Sequence, residues 1–213
     1  MNTGCASLPG LSAPLFGLVL TGGQSQRMGT DKAALPYAGQ PQLVRAFTLL
    51  SPRVASCFVS LREAQRNDPL RRHYPAIVDT LEGCGPIAGL VAAHTAYPDA
   101  AWLVLACDMP LMDGASLDVL IAQRAPRYHA VAFRSEHDSL PEPFCTIWEP
   151  AALELLGQQV AAGRLSPRRV LVDEATRVVP APSPVVLHNV NTGQERERAV
   201  EMMNTMRNVA RNG

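Results

Sequence analysis

Two short runs, FGLVL (16–20) and AWLVLACD (101–108), are apolar at nearly every position. A strand with one wet face alternates in polarity. A strand without alternation is covered on both faces, which is the habit of parallel sheets flanked by helices. The rest of the chain keeps a matching rhythm. After FGLVL come a helical pattern at 43–51, strand patterns at 57–61 and 76–80, and a helix opening with Gly-Pro at 85–97. The run 101–108 is the most hydrophobic and is expected to be the central strand. Then follow a helix at 115–124, strand patterns at 129–134 and 144–150, and a helix at 151–163. Short late strands at 177–181 and 186–190 precede a charged, amphipathic helix at 194–208. Such alternation predicts βαβ units with right-handed crossovers, hence an α/β fold with a mostly parallel sheet.

The 213 residues suffice for one well-buried α/β domain and are too few for two comfortable ones. Residues 15–208 are expected to form that single domain. Residues 1–14, rich in Gly, Ser and Pro, read as a flexible extension that cannot repay the entropy of ordering. Lys plus Arg balance Asp plus Glu, so formal net charge is zero and nothing draws the whole chain to nucleic acid or an anionic membrane. No apolar run approaches the roughly 20 residues needed to span a bilayer. The N-terminus lacks the basic and apolar regions of a signal peptide. A cytoplasmic location is expected. Cys5, Cys57, Cys84, Cys107 and Cys145 are odd in number and scattered, which argues against a disulfide framework or a zinc site.

In a sheet of this kind ligands bind beyond the carboxyl ends of the strands. Three polar features fall at such ends: the loop TGGQSQRMGTDK (21–32), Asp79 and Asp108. In the loop, Gly22 and Gly23 lack Cβ, so a phosphate can approach the backbone N–H groups. Arg27 and Lys32 add positive charge and donors for phosphate oxygens. The loop is neither a P-loop nor a dinucleotide fingerprint. The alternative is a bare glycine turn, but two cations in the same loop favour phosphate binding. Asp108, in LACDMP, follows a buried strand and is costly without a partner. Either Mg²⁺ shared with a triphosphate is that partner, or the Asp caps a turn.

Other positions leave two readings open. Asp79, in VDT, is a second acidic group near metal or ribose, or a strand-end cap. In GPIAGL (85–90), Gly85 and Pro86 open a helix whose N–H groups face an anion or a base, or else the segment only packs closely. Asn189 and Asn191, in NVNT, would share one side of a late strand and suit a polar ligand of low charge; otherwise they belong to a helix-capping turn. Arg168 and Arg169 read as a solvated helix end rather than a second phosphate site. The five His are scattered and receive no role, and Trp102 and Trp148 read as core.

LTGGQSQRMGTDKAAL, LACDMPL, GPIAGL and NVNT, in this order and spacing, resemble the molybdenum cofactor guanylyltransferases, from about residue 16 to the terminal helix. The first motif is specific to that group of small nucleotidyltransferases; the other three gain weight from their order. The resemblance implies a Rossmann-like three-layer sandwich that binds GTP with Mg²⁺ and takes Mo-molybdopterin as acceptor. It implies a guanine dinucleotide cofactor as product, with pyrophosphate released, and molybdoenzyme apoproteins or their chaperones as partners. Carried over by motif, Leu20, Gly22 and Gly23 would line the guanine and phosphate site and Lys32 would contact phosphates. Asp108 would hold Mg²⁺, Asp79 would lie close to the nucleotide, and Asn189 and Asn191 would lie on the pterin side. With Arg27, Lys32 and Asp108 form the expected catalytic set. Thr21 departs from the alanine usual after the leucine of the first motif, and EPFCTIWEP (142–150) differs from some members. Gly22–Gly23, where the related cytidylyltransferases look like LAAG, favours guanine. The rivals are a cytidylyltransferase of the same cofactor, another small-molecule nucleotidyltransferase, and a non-catalytic carrier. A carrier would have no need of Asp108 and Lys32, and a sugar enzyme usually has a longer chain.

Overall fold

The two apolar runs lie at the middle of a seven-stranded sheet in the computed structural model, which describes residues 13–21, 31–173 and 175–212, the side chains of 173 and 207–212 excepted. In chain order the elements are β1 (Leu15–Leu20), the small hairpin β2 (Pro36–Tyr37) and β3 (Gln40–Pro41), α1 (Gln42–Leu50), β4 (Ser56–Arg62), β5 (Ala76–Asp79), α2 (Pro86–Ala96) and β6 (Ala101–Ala106). Then come α3 (Gly114–Ala122), β7 (Ala130–Arg134), β8 (Pro141–Trp148), α4 (Pro150–Ala161), α5 (Pro167–Asp173), β9 (Thr176–Pro180) and α6 (Gly193–Asn212). The order across the sheet is β5-β4-β1-β6-β8-β7-β9, with β6 in the centre as expected.

Within this sheet all strands run parallel except β8, which is antiparallel to both of its neighbours. Its direction follows from its connection. Residues 135–140 fold straight back from β7, with Ser135 N–H donating to the Leu140 carbonyl at 2.8 Å, so there is no crossover helix to reverse the chain.

Burial explains the missing alternation. Along β6, Leu103 and Leu105 join a core layer with Leu43, Leu50, Leu117 and Leu120 from α1 and α3. Trp102 and Val104 join the opposite layer with Leu90, Leu153, Leu156 and Leu171 from α2, α4 and α5. Successive side chains point to opposite faces, and both faces are covered. This is the expected three-layer sandwich. A third, smaller cluster of Leu35, Tyr37, Leu111, Val190 and Ala199 ties β2 and α6 together beyond the main sheet.

Two expectations need correction. Residues 186–190 are not a strand: a 3₁₀ turn covers Pro184–Leu187, and residues 188–192 are irregular until α6 begins. The segment pairs with no strand: His188 N–H donates back to the Val185 carbonyl and Val190 N–H to the Asp108 carbonyl, so its backbone bonds go to the turn and to the loop after β6. Helix α5, over SPRRVLVD, was legible only as a helix end, because at seven residues it is too short for a clear period.

Helix α2 lies unusually close to the sheet. A Cβ on Gly89 would come within 2.3 Å of Ser60 Oγ and 2.9 Å of Leu20 Cδ2. Gly157, in α4, has nothing within 4 Å of the same position. Gly89→Ala should therefore lose about 1–2 kcal/mol net, overpacking outweighing the roughly 1 kcal/mol gain in helix propensity. Gly157→Ala should gain about 0.5–1 kcal/mol. Chemical denaturation of both variants checks this, and equal stabilisation by the two would refute the close packing of α2.

Candidate active site at the carboxyl edge of the sheet

The chain leaves β1 for β4 and β5 on one side, then returns to place β6 on the other side of β1. The crevice beyond β1 and β6 is therefore the switch point of the sheet, where ligands bind in open α/β folds. Leu20 and Ala106 are paired across these two strands, so their next residues enter the crevice side by side.

Asp108 lies two residues past β6. Lys32 comes from a 3₁₀ turn, Lys32–Ala34, whose N-cap is Asp31: the Asp31 side chain accepts from Ala33 N–H at 3.1 Å. Lys32 Nζ donates to Asn191 Oδ1 at 2.6 Å and stands 3.6 Å from Asp108 Oδ2. The Val190 N–H donates to the Asp108 carbonyl at 2.7 Å, which brings the segment before α6 onto the crevice. Thus residues 32, 108 and 191 meet in space. Burial pushes the Asp108 carboxyl up and the Lys32 charge pulls it back. Its Oδ1 is buried and makes no hydrogen bond to another of the described residues.

Asp79 ends β5 and accepts from Ser60 Oγ at 2.7 Å. Burial pushes its carboxyl up to about 6, against the Ser60 hydrogen bond and the Arg62 charge. A raised acid is neutral more readily folded than unfolded. The folded chain therefore binds the extra proton between the unfolded value near 4 and about 6. The ionised Asp79 costs stability above pH 6, and that cost fades as pH falls toward 4. Asp79→Asn should unfold at a higher temperature than wild type at pH 7.5, with the difference shrinking by pH 4.5. A difference that holds constant across that range would show that ionisation is not the cause.

Leu20 is 4% exposed and its side chain packs in the core beside α2, while its carbonyl accepts from Cys107 N–H. Asn189 is exposed and does not join Lys32 and Asp108; it lines a cavity of about 170 Å³ with Val190, Glu195 and Met202. The helix-capping reading of NVNT holds for its last residues. Thr192 Oγ1 accepts from Glu195 N–H, and Glu195 Oε2 accepts from the N–H groups of Asn191 and Thr192. Gly22, Gly23 and Arg27 lie outside the described residues. Gly85 has φ +59°, and Pro86 opens α2 as its first residue. Arg168 is taken up by acid groups, Asp138 at 2.5 Å and Glu142 at 3.7 Å.

Three participants escaped the sequence reading. Arg71, only 1% exposed, makes a bidentate ion pair with Asp31. Thr21 donates its hydroxyl to the Ser60 carbonyl at 2.6 Å and accepts from Arg71 Nε at 3.2 Å, which gives the departure from alanine a physical role. Glu142, 6% exposed at the start of β8, is close enough for the Asp108 charge to help push its carboxyl up, though burial is the larger cause.

Fold and site together define a mostly parallel α/β protein whose ligand crevice opens at the strand switch point and carries a carboxylate, a lysine and an amide. Residues 17–178 match the family described as the MobA-like NTP transferase domain. The chain is 32% identical over 182 residues to a molybdenum cofactor biosynthesis bifunctional protein of Synechocystis, covering 85% of this chain and 52% of that protein. It is 37% identical over 127 residues to a molybdenum cofactor guanylyltransferase of Xanthomonas euvesicatoria, covering 59% of this chain and 62% of that one. The chain thus spans about half of the first relative and under two thirds of the second. The crystal structure of molybdopterin-guanine dinucleotide biosynthesis protein A from Archaeoglobus fulgidus superposes with a TM-score of 0.74 at 22% identity, over 89% of this chain and 99% of that one, which shows the shared fold. This chain belongs to the MobA-like NTP transferase family.

Proposed function

We propose that this chain transfers GMP from GTP to the terminal phosphate of Mo-molybdopterin. The observation that carries the reading is the meeting of Lys32, Asp108 and Asn191 in the switch-point crevice, from three distant parts of the chain. The names of its relatives agree with it. Residues 15–208 act as one catalytic domain, and no helix among the described residues is long and apolar enough to cross a membrane.

An oxygen of the acceptor phosphate attacks the α-phosphorus of GTP. The bond from that phosphorus to the bridging oxygen breaks, and pyrophosphate leaves with the electron pair. A phosphate monoester has its second pKa near about 6, so the nucleophile is already ionised and needs no general base. What remains for the protein is to hold two anions in line and to stabilise the charge that moves to the leaving group. Lys32 sits where it can do so for the phosphates, with Arg27 assigned beside it from its charge in the same loop and the Gly22–Gly23 backbone from its glycines and the resemblance. The buried Asp108 Oδ1, with no hydrogen bond to another of the described residues, fits a divalent ion. Mg²⁺ takes one or two carboxylates together with phosphate oxygens, so Asp108 would hold it and it would offset triphosphate charge. Asp79 faces the nucleotide from β5, and Asn191 and Asn189 serve the pterin side.

The test is incubation with Mo-molybdopterin, Mg²⁺ and each of GTP and CTP, with products resolved by mass. The guanine dinucleotide is expected in excess. A preference for CTP would keep the mechanism and reverse the base. No dinucleotide with either, alongside tight pterin binding, would establish the carrier instead.

A further inference from the structure

Arg71 lies in a 3₁₀ turn, Arg71–His73, between β4 and β5, yet its side chain is among the largest fully buried ones. Such a guanidinium is costly unless its donors are met. Here they are met by three residues. Nη1 and Nη2 donate to the two oxygens of Asp31 at 2.7 and 2.8 Å, Nη1 also lies 3.2 Å from Asp68 Oδ1, and Nε donates to Thr21 Oγ1 at 3.2 Å. Two of these partners flank the segment 22–30 that carries the glycine motif: Thr21 precedes it and Asp31 follows it. Thr21 is held in turn by the Ser60 carbonyl, and Asp31 caps the turn that carries Lys32.

We propose that Arg71 is a positioning residue for the nucleotide site, fixing Thr21 and Asp31 relative to each other and, through Asp31, the place of Lys32. This rests on the guanylyltransferase reading above. A planar, rigid fork suits such a role, because it binds a carboxylate with two parallel bonds while its Nε bonds a hydroxyl at a different angle. A lysine presents its three donors from a single point and could not make two parallel bonds to Asp31 while also reaching Thr21. Arg71 touches no substrate in this scheme. Its effect reaches the reaction through where Thr21, Asp31 and Lys32 stand.

A purely structural ion pair makes a different prediction, and a double variant separates the two. In Arg71→Met, GTP affinity with Mg²⁺, read with a fluorescent GTP analogue, should weaken at least tenfold, and the melting temperature should fall. In Arg71→Met combined with Asp31→Asn, both charges of the bidentate pair are removed, the part-exposed Asp68 keeps its bonds from the backbone N–H groups of residues 70 and 71, and Asn still caps the turn. The melting temperature should recover, but affinity should stay at least tenfold weak because the tie is gone. If affinity recovers along with stability, Arg71 is structural only and the proposal falls. Should Arg71→Met not fold, Thr21→Val removes the hydroxyl link at almost constant volume. It should weaken affinity at least threefold, and wild-type affinity in that variant would equally overturn the proposal. Wild-type protein that binds no GTP with Mg²⁺ overturns the guanylyltransferase reading and this inference together, whereas wild-type binding with unaffected variants overturns this inference alone.

Discussion

Asp108→Ala should lower the rate of GMP transfer by about 10³-fold or more while the protein stays folded. The catalytic half follows from what the carboxylate is proposed to do. Holding a cation against the triphosphate is worth several kcal/mol of transition-state stabilisation, and about 4 kcal/mol is a factor of about 10³ in rate. The stability half follows from the contacts. The Lys32 pair is 3.6 Å long between side chains that are 20% and 29% exposed, so it contributes at most about 1 kcal/mol. Asp108 Oδ1 is buried with no hydrogen bond to another of the described residues, so deleting it relieves a desolvation cost. The link that anchors the segment before α6 is made by the Asp108 carbonyl and survives the substitution. Asp108→Asn keeps the shape and removes the charge, and should lose nearly as much activity. Steady-state transfer assays with melting curves on both variants decide the matter. Turnover near wild type in either one would remove Asp108 from the mechanism.

The contrast between fold and site shows what a single sequence carries. Strands β1 and β6 were legible because burial on both faces leaves a run with no polar residue to misread. Asp79 and Asp108 were legible because a carboxylate after such a run has few reasons to be there. Arg71 was not. It sits in QRNDPLRRHYP, a stretch of charge with two Pro, which has every mark of a solvated loop. Its burial depends on partners 40 and 50 residues away, Asp31 and Thr21, and no local pattern encodes that distance. Residues 186–190 failed for the opposite reason. VLHNV has the length and β-branched residues of a strand, but a strand also needs a neighbour, and β9 pairs with β7 while this segment is drawn to the crevice by the Val190 to Asp108 hydrogen bond. Asn191 reaches Lys32 from the irregular segment before α6, where NVNT follows its helix-capping reading and not the strand reading.

Lys32→Met should lower kcat/KM for GTP about 10²- to 10³-fold, and the way the loss divides carries the information. Lys32 Nζ sits on Asn191 Oδ1 at 2.6 Å and close to Asp108, so it spans the proposed nucleotide and pterin sides of the crevice. A lysine is a compact charge on a flexible stem, able to stay with a phosphate oxygen as charge moves onto the leaving pyrophosphate. An interaction made mainly in the transition state lowers kcat and kcat/KM together, while uniform binding raises KM and spares kcat. The expected result is a large fall in kcat with a smaller rise in KM. Asn191→Ala leaves the charge in place and removes only its tether, so it should cost less, about tenfold, and mostly in the KM for the acceptor. Methionine nearly matches the length of the lysine stem and so keeps its packing, which makes loss of the charge the main change. A Lys32→Met enzyme with normal kcat and a raised KM would mean that this lysine recognises GTP without assisting its chemistry. The burden of stabilising the leaving group would then rest on Asp108 with its cation and on Arg27.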